Sequence, residues 1–327
     1  MQFGQLKRRE FITALSGAVT WPLVARAQQP ARRSIGVLWP ASAPPPPPRM
    51  ESFRLALKQL GFVEGQNLTI ELRYAEKGPQ QLPDLAAELV HAKVDVIAAF
   101  GDVVPRVAHD ATSKIPIVAI SDDILGTGLI DSLARPGRNV TGLTIMSPEL
   151  SAKRLELLQE MVPGLSYVAA LSDATISRSQ VSATEDAARA MSLKLEVMEA
   201  RSGDQIADAF RTAKDNGAQA VNVLASPILS QLFREVIGAS AKYRLPAIYQ
   251  WKEHADAGGL ISYGPSLAAM WRQSGTIVAT ILNGANPESL PFEQPIKFEL
   301  AVNARTADAL GLRIPPSVLV RADEVIE

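Results

Sequence analysis

The 327-residue chain contains no cysteine. That excludes disulfides, thiolate zinc sites, iron–sulfur clusters, cysteine nucleophiles and an N-terminal lipid-modified cysteine. It has no excess of either charge: Lys and Arg total 33, Asp and Glu 34, for a net charge of −1. Without a basic excess nothing drives contact with a phosphate backbone, so no nucleic-acid partner is expected. Histidine is scarce. His91, His109 and His254 stand far apart, none at helical spacing from another, and all three read as solvated helix residues rather than ligands or bases. There is no G-x-x-x-x-G-K-[ST] phosphate loop and no G-x-S-x-G nucleophile elbow. Gly126 to Asp131 is a broken G-x-G-x-x-G that lacks its third glycine and follows the fourth strand, not the first. It therefore does not read as a dinucleotide site. Asp122 and Asp123 are adjacent, so their carboxylates should point apart rather than share a proton. No catalytic residue, metal or cofactor is expected.

What is present is the balance of a globular protein, 47% hydrophobic and 20% charged. At roughly 150 residues per domain the length fits about two domains. Residues 1–27 read as an export signal. Lys7-Arg8-Arg9-Glu10-Phe11 carries a twin arginine, and Phe11 to Ala25 then runs without charge. Those 15 residues are too few to span a bilayer core of about 30 Å as a helix. Ala25-Arg26-Ala27 supplies a small-x-small cleavage pattern, so cleavage is expected after Ala27 and the destination is the periplasm. The twin arginine points to the folded-protein export route, with Sec export as the rival. Removal deletes four basic residues and only Glu10 among the acids, which leaves the rest of the chain at −4. No other segment approaches the roughly 20 apolar residues of a membrane helix.

The remainder alternates strand and helix. Ser34 to Trp39, Leu68 to Tyr74, Val94 to Phe100 and Ile115 to Ile120 read as strands. Helices over Glu51 to Leu60, Leu82 to Ala92 and Val104 to Thr112 separate them. The order then restarts. Helix Pro148 to Val162 leads strand Tyr167 to Leu171, helix Ser177 to Met191 and strand Leu193 to Met198. Helix Ile206 to Asn216, strand Ala220 to Leu224, helix Leu229 to Tyr243 and a short strand to Tyr249 follow. Such a series builds a mostly parallel sheet with helices on both faces. The fold class is therefore α/β, with two doubly wound parallel-sheet lobes and a ligand cleft between them. A long helix, Ser266 to Asn283, and a strand, Phe298 to Val302, arrive after the second lobe is complete. They imply that the chain crosses back between lobes, near Thr141 to Met146, Ile261 to Pro265 and Glu293 to Phe298. Lobe one is expected at 34–143 plus 264–296, and lobe two at 144–263 plus 297–327.

Small polar residues recur at the C-terminal ends of the expected strands, where open α/β sheets bind ligands. Ser42, Gly101, Asp102, Ser121 and Asp122 should line one wall of the cleft. Ser172, Asp173, Ser226, Tyr249, Trp251 and Tyr263 should line the other. Each loop precedes a helix whose first N–H groups are free, a setting suited to a carboxylate. Taken singly, each Ser or Asp is more often a helix cap. Asp102 or Asp122 would take a cationic or hydroxyl group. The aromatics, led by Trp251 and Tyr249, would cover the apolar part of a ligand.

Three segments carry a resemblance: KRREFITALSGAVTWPLVARAQQ, LGFVEGQNLTIELRYAEKGPQQLPDLAAELV and LIDSLARPGRNVTGLT. They resemble the TrpX-like substrate-binding proteins of ABC importers, and the likeness runs over essentially the whole chain after the signal. Leu133 to Gly142 is its most specific part. The resemblance implies two type I periplasmic-binding lobes joined by crossing strands and closing about a hinge. It further implies a small-molecule ligand, delivery to an ABC permease in the inner membrane, and no catalysis. The ligand class it suggests is an amino acid or aromatic acid, and the protein is expected to act as a monomer. The alternative is an exported enzyme acting on a small acid in the same cleft. This chain departs from the family in three places. Asp122-Asp123-Ile124 stands where Asp-Pro-Val is usual, and Arg138 stands where a second glycine is usual. A five-proline run, Pro44 to Pro48, occupies the loop after the first strand. That run should be stiff and extended at the cleft mouth, so tryptophan specificity does not carry over.

Overall fold

Apolar runs that can be buried on both faces become parallel strands when helices return the chain to the same end of a sheet. The computed structural model describes residues 32–327, so the expected export signal at 1–27 lies outside the described residues. The first sheet is built from β1 (Arg33–Trp39), β2 (Leu68–Tyr74), β3 (Val96–Phe100), β4 (Ile117–Ser121) and β5 (Val140–Thr144). They lie in the order β2-β1-β3-β4-β5 with every pairing parallel. Helices α1 (Pro47–Gln59), α2 (Leu82–His91) and α3 (Val103–Ala111) connect them. Strand order reverses direction between β1 and β3, which is where a doubly wound sheet opens a crevice at its carboxyl ends.

The chain leaves this sheet through α4 (Ser147–Met161) and builds a second one. Its parallel part comprises β6 (Tyr167–Ser172), β7 (Lys194–Glu199), β8 (Ala220–Val223), β9 (Ala247–Tyr249) and β10 (Ile261–Pro265). The connections are α5 (Arg178–Ala190), α6 (Gly203–Asp215), α7 (Pro227–Gln231), α8 (Phe233–Tyr243) and α9 (Lys252–Asp256). Helix α10 (Leu267–Leu282) then crosses back and lies on α1 and on β3, β4 and β5 of the first sheet. The chain returns once more as β11 (Phe298–Asn303), antiparallel to β10. It ends through α11 (Ala304–Leu310), α12 (Pro316–Arg321) and β12 (Glu324–Ile326). The second sheet runs β12-β11-β10-β9-β8-β6-β7, and its own reversal lies between β6 and β8.

Each sheet is covered on both faces by apolar side chains. In the first lobe Trp39, Phe53, Phe100 and Trp271 fill the α1/α10 side, and Leu38, Leu89, Val104 and Ile117 fill the α2/α3 side. Residues around Leu155, Val168 and Ile261, and around Phe210, Val221 and Tyr249, do the same for the second. Burial of each large apolar side chain contributes roughly 1.5–3 kcal/mol relative to exposure.

Several elements differ from the sequence expectation. The first helix opens at Pro47 rather than Glu51, because proline fits the first turn, where its missing N–H has no partner to lose. Only the run up to Pro46 is extended, with φ −52° and ψ 136° at that residue. The helix expected over Leu229 to Tyr243 is broken at Leu232 into α7 and α8. Of the segments expected to cross between lobes, Thr141 to Met146 overlaps β5 and Ile261 to Pro265 coincides with β10. The third crossing segment pairs briefly with β5. Thr144 N donates to Glu293 O at 3.0 Å, and Glu293 N donates to Gly142 O at 2.9 Å. The short elements α9, α12 and β12 carry too little periodicity to be read from sequence.

Candidate functional site

A small cavity of about 30 Å³, room for about one water molecule, lies where the carboxyl ends of the two sheets face each other. Trp39 comes from the end of β1. Phe100 and Gly101 come from the end of β3, and Ile120 and Asp122 from the end of β4. The second lobe supplies Ser226, Pro227, Ser230 and Trp251. Arg49 reaches in from the first turn of α1, and Leu267 and Trp271 from α10. Gly101 is needed here twice over. Its φ is +102°, and a Cβ on it would sit 2.9 Å from Cγ of Pro227 on the opposing lobe. Glycine thus permits both the turn and the close approach of the lobes.

The apolar wall is aromatic. Phe100 stacks on Trp271 with centroids 4.1 Å apart, and Trp39 meets Trp271 edge-on at 5.9 Å. The Trp39 indole N–H is buried and has no protein hydrogen-bond partner. A buried donor left open in a cavity lining is available to a ligand acceptor.

Of the eleven residues expected from sequence, Gly101, Asp122, Ser226 and Trp251 line this cavity. Others are buried nearby but already engaged. Asp102 accepts from Ser121 Oγ at 2.6 Å, from Asp123 N at 3.0 Å and from Ser177 N at 3.2 Å, the last across the lobes. Asp173 accepts from Thr175 N at 2.7 Å, from the Thr175 hydroxyl and from Ser226. Ser226 caps α7 by accepting from Ile228 N and Leu229 N. Ser172 is buried beside Asp173, its hydroxyl 3.5 Å from the Asp173 carbonyl. Ser42 is exposed on the loop before α1. Tyr249 is buried in the second lobe against His254, with ring centroids 5.4 Å apart. Tyr263 stacks on Phe298 at 6.1 Å. Neither tyrosine lines the cavity.

Asp122 and Asp123 diverge, as adjacency requires. Asp122 accepts from Ser147 Oγ at 3.0 Å, whereas Asp123 turns to Ser179 across the lobes. Burial raises the Asp122 carboxyl well above the ordinary aspartate range, and the neighbouring Asp102 carboxyl raises it further. Ser147 and the Arg154 guanidinium oppose the shift. Burial also raises Asp102 and Asp173. Arg154 is buried in α4, donates from Nε to Tyr263 O at 3.0 Å, and is pushed down to about 10 by burial. Asp122 thus offers the cavity an acceptor that a ligand cation or hydroxyl would stabilise in its charged form.

One reading needs correction and one residue was missed. His254, expected in solvent, is buried between Phe233 and Tyr249, and burial pushes its pKa down to about 3. Arg49 was not singled out in the sequence. Its signal is a basic residue directly after the proline run, at the expected cleft mouth. Among the described residues no group of three or more His, Asp or Glu is placed to hold a metal ion, and no helix is long and apolar enough to cross a membrane.

Comparison with known proteins gives one family. Residues 34–326 match the family model described as ABC transporter substrate binding protein. A tyrosine-binding protein of Clostridioides difficile (strain R20291) is 25% identical over 298 residues, covering 86% of this chain and 82% of that protein. A solved ABC domain in complex with L-Trp from Streptococcus pneumonia is 23% identical with a TM-score of 0.81. The match covers 90% of this chain and 100% of that one. A conserved domain protein from Vibrio cholerae O1 biovar eltor is 24% identical, also with a TM-score of 0.81, over 90% of this chain and 99% of that one. These structural likenesses are likenesses of fold.

Proposed function

The chain belongs to the ABC transporter substrate binding protein family, and from that membership we propose that it is a periplasmic solute-binding component of an importer. It holds a small organic ligand between its lobes and hands it to an ABC permease in the inner membrane, acting as a monomer without catalysis. The observation that carries this reading is the cavity at the facing strand reversals, walled by aromatic rings from the first lobe and by Trp251 from the second. The ligand class is an aromatic amino acid or a related aromatic acid. The tyrosine-binding relative and the L-Trp complex of a protein with this fold support that class. The aromatic lining supports it independently of either.

The mechanism is hinge closure of two lobes, 34–143 plus 264–296 and 144–263 plus 297–327, about three crossing segments. Cross-lobe hydrogen bonds support a closed arrangement here: Ser177 to Asp102, Ser179 to Asp123, and Arg49 to Ser230. The site then comprises Asp122 for a cationic or hydroxyl group and Trp251 with the first-lobe rings for the apolar part. Asp102, Asp173, Ser121 and Ser226 hold the loops in place.

Mass spectrometry of ligand released from natively purified protein, followed by calorimetry with L-tyrosine and L-tryptophan, tests this reading. One of these or a near relative should bind and leave unchanged. Trp251→Ala should weaken binding about ten- to hundredfold, as typical aromatic burial implies. A ligand of another class, or a chemically altered one, refutes the reading. Export is tested separately. Arg8→Lys with Arg9→Lys should strand the precursor in the cytoplasm, and the exported chain should begin at Gln28. Normal export of the double variant would assign the Sec route.

A further inference from the structure

The amides that a helix start normally offers to an anion are spent or missing where α1 and α7 face each other across the cavity. Helix α1 begins Pro47-Pro48, so its first two positions have no N–H. The next two donors, Arg49 N and Met50 N, both turn back to Pro46 O, at 3.0 and 3.3 Å. Helix α7 begins at Pro227, and its next amides, Ile228 N and Leu229 N, are taken by Ser226 Oγ. Helix α4 carries Pro148 at its start, and Ser147 N is taken by Asp122 O at 2.9 Å.

A cation stands in the same place. Arg49 lines the cavity, and its Nη2 donates to Ser230 Oγ at 2.6 Å across the lobes. Ser230 is a neutral partner, and among the described residues no carboxylate pairs with this guanidinium. Glu253 acts on it only at longer range, and burial pushes it down to about 10. A half-buried guanidinium with one neutral acceptor is incompletely compensated, and a bidentate carboxylate is the group whose geometry completes it.

We propose that Arg49 receives the carboxylate of the bound ligand, and that the proline run Pro44 to Pro48 replaces the amides of the α1 start with this side chain. The proposal rests on the reading that the cavity holds an aromatic amino acid or acid, and it adds the requirement for an anionic end. Arg49 and Asp122 both line the cavity and carry opposite charge, so a zwitterionic ligand is served at both ends. Helix α3, which starts at Val103 behind Gly101 without a side-chain cap, supplies the competing receptor.

Calorimetry on the full mature chain uses three probes: L-tryptophan, indole-3-propionate, which lacks the amine, and tryptamine, which lacks the carboxylate. The first two should bind wild type more tightly than tryptamine does. Arg49→Gln should weaken both acids on the order of ten- to a hundredfold, the scale of a charge-assisted hydrogen-bonded pair, while tryptamine loses no more than the roughly fivefold share of the Ser230 contact across the lobes. The larger loss for the acids separates the two roles, because a merely structural role for Arg49 would weaken all three probes alike. Arg49→Lys should recover part of the loss. Adding Pro47→Ala and Pro48→Ala to Arg49→Gln restores two amides and should regain part of the acid affinity; no regain overturns the role given to the prolines. Acid binding that survives Arg49→Gln overturns the proposal and leaves the carboxylate to the Trp39 indole N–H or the start of α3. Wild type that binds none of the three probes overturns the aromatic-acid reading itself, and the proposal with it.

Discussion

Removing the Ser179 hydroxyl should weaken ligand binding about fivefold, although Ser179 does not line the cavity. Ser179 in α5 donates to the Asp123 carboxylate on the opposing lobe, and Ser177 N donates to Asp102 just beside it. These bonds exist only when the lobes are together. A hydrogen bond to a charged group contributes roughly 1.5–3 kcal/mol, but here both partners are half-buried and meet water when the lobes part. Exposure to water brings it down to the worth of an ordinary hydrogen bond, about 1 kcal/mol, which is about fivefold in the closed-to-open ratio. When only the closed form holds ligand firmly, apparent affinity falls by the same factor. Gly126→Ala should reproduce the loss from the other side. A Cβ on Gly126 would fall on the Asp123 carboxylate and stand 2.5 Å from Ser179 Oγ, so Asp123 must leave its partner. Both variants break one contact, so the double variant should lose little more than either alone. The assay is calorimetry of L-tryptophan or L-tyrosine, with stopped-flow to show the loss in the dissociation rate. Wild-type affinity in Ser179→Ala, or full additivity in the double variant, would refute the reasoning.

Three further outcomes follow from the same geometry. Asp122, raised by burial and by Asp102, is protonated more readily folded than unfolded, so its contribution to stability declines as pH rises from about 4 through its folded value. Chemical denaturation from pH 4 to 8 should show Asp122→Asn gaining on wild type with rising pH, by at most about 1.4 kcal/mol per unit, and a flat difference would contradict the assignment. His254 has the opposite sign: its pKa is lowered to about 3, so its stabilising contribution is complete above about 6.5 and is lost as pH falls toward 3. Its ring proton signals should not titrate between pH 8 and 4 in the folded chain, and a midpoint near 6.5 would mean it is solvated after all. Gly101→Val should lower the melting temperature, because φ +102° is strained for a β-branched residue, and should also reduce affinity at least tenfold, because its side chain meets Pro227 before the lobes close. Calorimetry paired with thermal denaturation separates the two effects.

The alternation of apolar runs with amphipathic segments was enough to read two α/β lobes, because strands such as Val96–Phe100 and Tyr167–Ser172 are buried on both faces and carry their pattern locally. The late arrival of Leu267–Leu282 likewise pointed to a crossing chain before its place on α1 was known. The roles of individual polar residues were not legible in this way. Ser226, Asp102 and Asp173 have the residue types of a binding loop, yet their partners come from segments 53, 75 and 53 positions away and leave them as caps and loop ties. Asp122 and Asp102 look alike in sequence; only the fold leaves one facing the cavity and encloses the other in three hydrogen bonds. His254 reads as a surface helix residue because α9 is five residues long, too short to show which face is buried. Arg49 was hidden for the converse reason: the proline run suggested an extended arm, and only the helix start at Pro47 turns the next side chain into the space between the lobes. Local pattern determines which segments form sheet and helix, because burial of a face is decided within a few residues. Which polar group is free to meet a ligand is decided by what else satisfies it, and that depends on chain brought together from both lobes.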